Sequence, residues 1–149
     1  MDEVTVEIAA PPATVWELIS NFDNMARWSP ELTALRWLDG ANRAEVGARF
    51  KGTNRHGMAR WSTKSAVTRL EAQSVVEWQV AESGMRWGYR LEPTPDGGTR
   101  VTEYREKTRP VPLYVTLVQR SGLIGRNREA LMVAGMHKTL DRIKEAAES

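Results

Sequence analysis

Cysteine is absent from this chain of 149 residues. Without thiols there is no disulfide, no thiolate metal site and no cysteine nucleophile. The absence also suits a reducing compartment. Histidine is nearly as scarce: His56 and His137 are the whole complement. Neither has a partner at metal-ligand spacing, so no metal site is expected. No apolar run approaches the roughly 20 residues needed to span a bilayer. Met1-Asp2-Glu3-Val4 shows no basic region followed by an apolar run, so no secretory signal is expected. A cytoplasmic protein is the resulting expectation. No Gly-x-Ser-x-Gly elbow marks an activated serine. Gly122-Leu123-Ile124-Gly125 lacks the spacing and the lysine of a phosphate-binding loop. No cofactor is expected.

Charge of one sign does not dominate. There are 21 basic and 19 acidic residues, a formal net charge of +2. Along the chain they are dispersed, and the nearest approach to a basic cluster is Arg120, Arg126 and Arg128. A nucleic-acid binder carries a denser footprint, so no nucleic-acid partner is expected. Arginine outnumbers lysine, which suits a GC-rich bacterial genome. The length fits one domain, residues 1–149, and such a domain buries about 68–70% of its unfolded surface without staples.

The order of patterns is the main positive signal. Val4, Val6 and Ile8 alternate with Glu3, Thr5 and Glu7, the signature of a half-buried strand. Ala10-Pro11-Pro12 ends it, and Pro12 suits the first position of a helix over about 12–19. Asn21-Phe22-Asp23-Asn24 breaks that helix and caps a second short one ending near Trp28. Strand-like alternation then runs from about Leu32 to Lys107. His56-Gly57 reads as a tight hairpin turn. Met85, Trp87, Tyr89 and Leu91 form the clearest single strand, and the last strand spans about 99–107. A final helix is predicted over about 127–147, with Met132, Met136, Leu140 and Ile143 on one stripe.

A sheet of that extent has an apolar face to cover, and the final helix is the only element long enough to do it. One helix rarely fills a curved sheet, so a cavity is expected. Trp61, Trp78, Trp87, Tyr89, Met132 and Met136 are its candidate lining, offering rigid aromatic surface and adaptable thioethers. The alternative is an ordinary filled core. A period of two puts Phe50 and Asn54 on one face, and Val101, Glu103 and Arg105 on another shared face, with Thr63 and Ser65 as further inward polar groups. Buried charges must be paired or wetted. If the face assignment of the last strand is inverted, Thr102 and Tyr104 point inward instead. Glu103, Arg105 and Tyr89 are the candidates for acid–base work, with Asp23 a further one at a pocket mouth.

At this point the chain resembles the START-like, or helix-grip, superfamily, and within it the polyketide cyclase/dehydrase and lipid-transport group. The carriers are Val4-Thr5-Val6-Glu7-Ile8 with Ala10-Pro11-Pro12-Ala13-Thr14-Val15-Trp16, then Asn21-Phe22-Asp23 and Arg27-Trp28-Ser29-Pro30. Gly47 to Arg55, Trp61-Ser62-Thr63, Gly97 to Glu103 and Gly135 to Lys144 complete the set. The resemblance covers nearly the whole chain. It implies an α+β helix-grip fold: a curved antiparallel sheet of about seven strands wrapped around the C-terminal helix, two short helices after the first strand, and an elongated apolar pocket.

Three functions follow as expectations. The first is binding or carriage of a hydrophobic or amphipathic small molecule, lipid-like or polyketide-like. The second is a polyketide aromatase/cyclase using a pocket acid or base. The third is a protein-interaction module. The stretch Val111 to Ile124, apolar and flanked by Arg109, Arg120 and Arg126, reads equally as a lid, a transient membrane contact, a dimer contact or a packed helix. Monomer and homodimer are both open.

Overall fold

A computed structural model of the chain describes residues 1–108 and 128–149. The expectations placed on 111–124 lie outside the described residues.

Strand β1 spans Asp2–Ile8. Helix α1, Pro12–Ser20, follows with proline in its first turn, where a missing N–H is no loss. The side chain of Asn21 accepts from the Asp23 amide at 3.1 Å and starts a single 3-10 turn over Phe22–Asn24. Helix α2, Met25–Trp28, completes the excursion. Six strands come next: β2 Leu32–Trp37, β3 Arg49–His56, β4 Ala59–Glu71, β5 Val75–Val80, β6 Met85–Pro93 and β7 Thr99–Lys107. Helix α3, Arg128–Glu148, closes the chain. Gly57 and Met58 form the turn between β3 and β4, with Gly57 at φ +60°, as a two-residue hairpin loop requires.

The strands form one antiparallel sheet in the order β1-β7-β6-β5-β4-β3-β2. This is the expected α+β helix-grip architecture. Helix α3 packs on β1 and touches α1, α2 and β7. Met136, Thr139, Leu140 and Ile143 are its buried stripe.

One expectation needs correcting. The final helix does not cover the sheet alone, because the α1–α2 excursion shares the task. Val15, Ile19, Phe22 and Trp28 are all buried in the same core as Val4, Phe50, Trp78 and Leu140. Phe22 is the plug. It is 2% exposed, and its ring centroid lies 5.6 Å from Trp37, 5.3 Å from Phe50 and 5.6 Å from Trp78. Tilted and edge-on contacts at these distances are the favoured aromatic geometry.

The convex face of the sheet is also partly closed. Tyr104 on β7 lies across Gly88 on β6 and donates its phenol to Glu77 Oε2 on β5 at 2.5 Å. The crossing needs glycine: a Cβ at Gly88 would stand 2.5 Å from the Tyr104 ring and hydroxyl and 2.8 Å from the Val76 carbonyl. Thr68 donates to Glu77 Oε1 at 2.8 Å, and Arg86 Nε lies 3.2 Å from the same oxygen. Glu77 and Tyr104 are consequently buried on a face where alternation alone predicts solvent.

Candidate functional site

Pairing register decides which side chains share the concave face. Val4 is a core residue and lies directly opposite Glu103, while Asp2 lies opposite Arg105. Glu103 and Arg105 therefore point inward with Val101, and Thr102 and Tyr104 point outward. The register continues across the sheet. Glu103 opposes Tyr89 and Arg105 opposes Trp87. Trp87 opposes Trp78, which opposes Val67. Toward the β3–β4 hairpin, Phe50 opposes Ser65, Gly52 opposes Thr63 and Asn54 opposes Trp61.

All the strand residues expected to line a pocket thus share one face of one sheet. They differ in depth. Phe50, Trp78, Tyr89 and Met136 are buried within the core. Glu103 and Arg105 are buried beside them. Trp87, Trp61, Thr63, Asn54 and Met132 are only half-buried.

The two inward charges are handled differently. Arg105 donates from Nε to Asp2 Oδ2 at 2.7 Å, and its guanidinium lies 5.8 Å from the Trp87 ring centroid. A buried guanidinium with a partly exposed carboxylate partner is satisfied. Glu103 has no such partner. It is 4% exposed, and its Oε1 is buried without a hydrogen bond. Burial pushes its carboxyl up to about 8, and a hydrogen bond with the Tyr89 phenol only partly offsets this. Burial, with the nearby Glu103, in turn holds the Tyr89 phenol well above its usual range. At neutral pH Glu103 is accordingly a neutral acid, with one proton to donate and one oxygen open.

His56 is exposed at the end of β3 and His137 is exposed on α3. No grouping of His, Asp or Glu suited to a metal occurs among the described residues. Asp23 is exposed and lies in a cleft of about 320 Å³, two of whose walls, Trp37 and Leu70, share the concave face with their strand partners Phe50 and Val76. Trp16, Asn21, Phe22, Trp37, Arg43 and Leu70 also line that cleft. Phe22, one of its walls, also packs edge-on against Phe50 and Trp78. None of the residues expected to line the pocket borders this cleft.

Sequence reasoning missed Phe22 and Trp37 as part of the aromatic cluster, and Tyr104 as the lid on Glu77. For Phe22 a signal was present: one large apolar residue inside the polar breaker Asn21-Phe22-Asp23-Asn24. For Tyr104 there was none, because its burial depends on the glycine that register places beside it.

Comparison with known proteins agrees with this architecture. A family model for "Polyketide cyclase / dehydrase and lipid transport" matches residues 3–148. A Polyketide_cyc-like protein of Corynebacterium glutamicum, solved by NMR, is 28% identical, with a TM-score of 0.64 over 96% of this chain and 88% of its own. A protein of Chromobacterium violaceum is 14% identical, with a TM-score of 0.71 over 99% of this chain and 97% of its own. The di-domain ARO/CYC of the steffimycin biosynthetic pathway is 15% identical, with a TM-score of 0.69 over 99% of this chain but only 44% of its own. At 14% and 15% identity, the last two are likenesses of fold alone. No curated protein matches the chain.

Proposed function

The chain belongs to the polyketide cyclase/dehydrase and lipid transport family, and from that premise we propose that it binds a hydrophobic or amphipathic small molecule against the concave face of its sheet, with Glu103 and Tyr89 as the polar anchor. The observation that carries the reading is the open Oε1 of Glu103, a buried oxygen without a hydrogen bond. An unsatisfied buried polar atom is costly and calls for an explanation. A ligand that supplies the missing contact is one. A neutral carboxyl donates to a ketone, ester or hydroxyl oxygen and also accepts from a hydroxyl. The ligand class is therefore apolar in bulk, with an uncharged oxygen function at one end. Phe50, Trp78, Tyr89 and Met136 supply the deep apolar surface. Asn54, Trp61, Thr63, Trp87 and Met132, half-buried, form its outer part, and Arg105 bounds it beside Trp87. Apolar burial at about 25 cal/mol per Å² drives association, and the carboxyl fixes orientation.

One observation favours a second reading. A carboxyl that exchanges its proton near pH 8 is poised for acid–base work at physiological pH. In a cyclase, Glu103 polarises a ketone oxygen by donating its proton, and the resulting carboxylate removes one from a neighbouring carbon. The steffimycin-pathway ARO/CYC, similar in fold, lends this reading its context.

Native mass spectrometry of the protein purified from its host, followed by extraction, tests the binding reading. The expected result is a retained apolar molecule carrying a neutral oxygen function, lost from Glu103→Ala. An empty protein that also shows no tryptophan response to fatty acids or aromatic polyketides overturns it. Turnover of a poly-β-keto thioester with loss of water, abolished in Glu103→Gln, selects the cyclase.

A further inference from the structure

The cations that look dispersed along the chain are brought together by the sheet. On the convex side, Arg36 on β2 opposes Lys51 on β3, and Lys51 opposes Lys64 on β4. Further along the same two strands, Arg55 opposes Arg60. Directly opposed side chains on neighbouring strands stand about 4.5–5.5 Å apart at Cβ, and like charges there repel. None of these five residues enters an ion pair among the described residues. Of the acids bordering the row, Asp39 pairs with Arg49 at 2.9 Å, and Glu82 is held by the Lys64 backbone amide at 2.9 Å rather than by the Lys64 ammonium.

The rest of the convex face is built differently. Across β1, β7 and β6 the opposite signs alternate and meet: Arg90 with Glu3, Arg100 with Glu7 and Glu92, Arg86 with Glu77 and Glu106. One half of the face is neutralised internally. The other half, β2–β4, pairs Arg49 with Asp39 and Arg69 with Glu71 but leaves Arg36, Lys51, Arg55, Arg60 and Lys64 outside any ion pair among the described residues. The row and the pair are four residues apart on β3, about 13 Å at 3.3 Å per residue.

The β3–β4 turn adds a second feature. Met58 at its tip is 100% exposed, and Arg55, His56 and Arg60 flank it, all exposed. An apolar tip ringed by cations suits an interface that is greasy inside and negatively charged at its surface.

We infer that the β3–β4 hairpin and the convex face of β2–β4 form a docking surface for an anionic phospholipid bilayer, with Met58 entering the headgroup region and Arg36, Lys51, Arg55, Arg60 and Lys64 facing the lipid phosphates. A nucleic acid would also answer the charge, but a fully exposed methionine at the centre of the cations favours lipid. The hairpin carries Asn54 and Trp61 on its concave side, so the docked protein presents the outer end of the proposed ligand site to the membrane. The docking itself is independent of whether that site takes a ligand.

Sedimentation with phosphatidylcholine vesicles, with and without phosphatidylglycerol, tests this on the whole chain. The expected result is binding only to the anionic vesicles, weakening with salt as exposed charges are screened. Lys51→Glu combined with Arg60→Glu should weaken it at least tenfold, since each cation near such a surface is worth about fivefold. Met58→Ser should weaken it further. Lys51→Glu places an acid between Arg36 and Lys64, and Arg60→Glu places one opposite Arg55, so the thermal midpoint of the double variant should hold or rise, which separates lost binding from lost fold. No binding to anionic vesicles, equal binding to pure phosphatidylcholine, or binding unchanged in the charge-reversed variant overturns the inference. Binding to a random DNA duplex with none to vesicles overturns it in favour of a nucleic acid.

Discussion

Glu103 on β7 and Tyr89 on β6 lie directly opposite each other inside the sheet, and one carboxyl oxygen of the pair accepts no hydrogen bond. Among the described residues, only this oxygen and Arg86 Nε are buried side-chain polar atoms without a hydrogen bond, and the position has consequences for stability as well as for binding.

The first concerns pH. Glu103 holds its proton up to about 8 in the folded chain, against an ordinary value of 4.5. Between those values the native state binds more protons than the unfolded state, so this group makes stability fall as pH rises, and the loss is complete above about 8. Glu103→Gln removes the dependence. The variant's stability relative to the parent should be unchanged near pH 4.5 and rise toward pH 8, by an amount on the order of a few kcal/mol. Urea unfolding of both proteins across that range checks it.

A second prediction concerns Phe22. Its ring packs against Trp37, Phe50 and Trp78 and also lines the cleft that holds Asp23. Phe22→Ala should destabilise by about 3–5 kcal/mol, the usual range for a buried phenylalanine. Phe22→Leu, which keeps most of the volume, should lose much less. Chemical denaturation midpoints at constant slope decide.

The third prediction couples Gly88 and Tyr104. Tyr104→Phe leaves one Glu77 oxygen short of a buried partner and should cost about 1–3 kcal/mol. Gly88→Ala drives a methyl into the Tyr104 ring and should cost about as much through overpacking. Because both changes act on one crossing, the double variant should lose less than the sum of the singles. Strict additivity would contradict the crossing. Burial and the Glu77 hydrogen bond hold the Tyr104 phenol well above its usual range, so alkaline titration of tyrosine absorbance should lose one late component in Tyr104→Phe.

A fourth concerns Arg105. Its Nε is bound to Asp2 Oδ2, and its side chain is buried while that of Asp2 is partly exposed. Asp2→Asn should therefore destabilise more than removal of a surface pair, whose median worth is about 0–1 kcal/mol. Arg43 with Glu45, exposed on both sides, is the internal control and should show almost nothing in Glu45→Gln.

Much of the fold was legible in the sequence. Period-two alternation located every strand among the described residues, and β7 fell on Thr99–Lys107 as expected. The proline at the start of α1 and the stripe of α3 were equally plain. The inward face of β7 was undecidable from its own residues, since both Val101-Glu103-Arg105 and Thr102-Tyr104 are plausible interiors. Only the partner strand, with Val4 opposite Glu103, resolves it. The same holds for the basic surface. Arg36, Lys51 and Lys64 are far apart in sequence, and a linear reading found its densest cluster at Arg120, Arg126 and Arg128 instead. Strand pairing is a long-range property, and it decided the depth of Phe22, the crossing at Gly88 and the row of cations alike.

The most direct test of the central claim is a carbon-13 NMR titration of the Glu103 carboxyl, assigned by its loss in Glu103→Gln. A midpoint near 8, moved or abolished when an apolar ligand with a ketone or hydroxyl end is added, is the predicted result. A midpoint near the ordinary 4.5, insensitive to any such ligand, would mean a solvated carboxylate and would contradict the account.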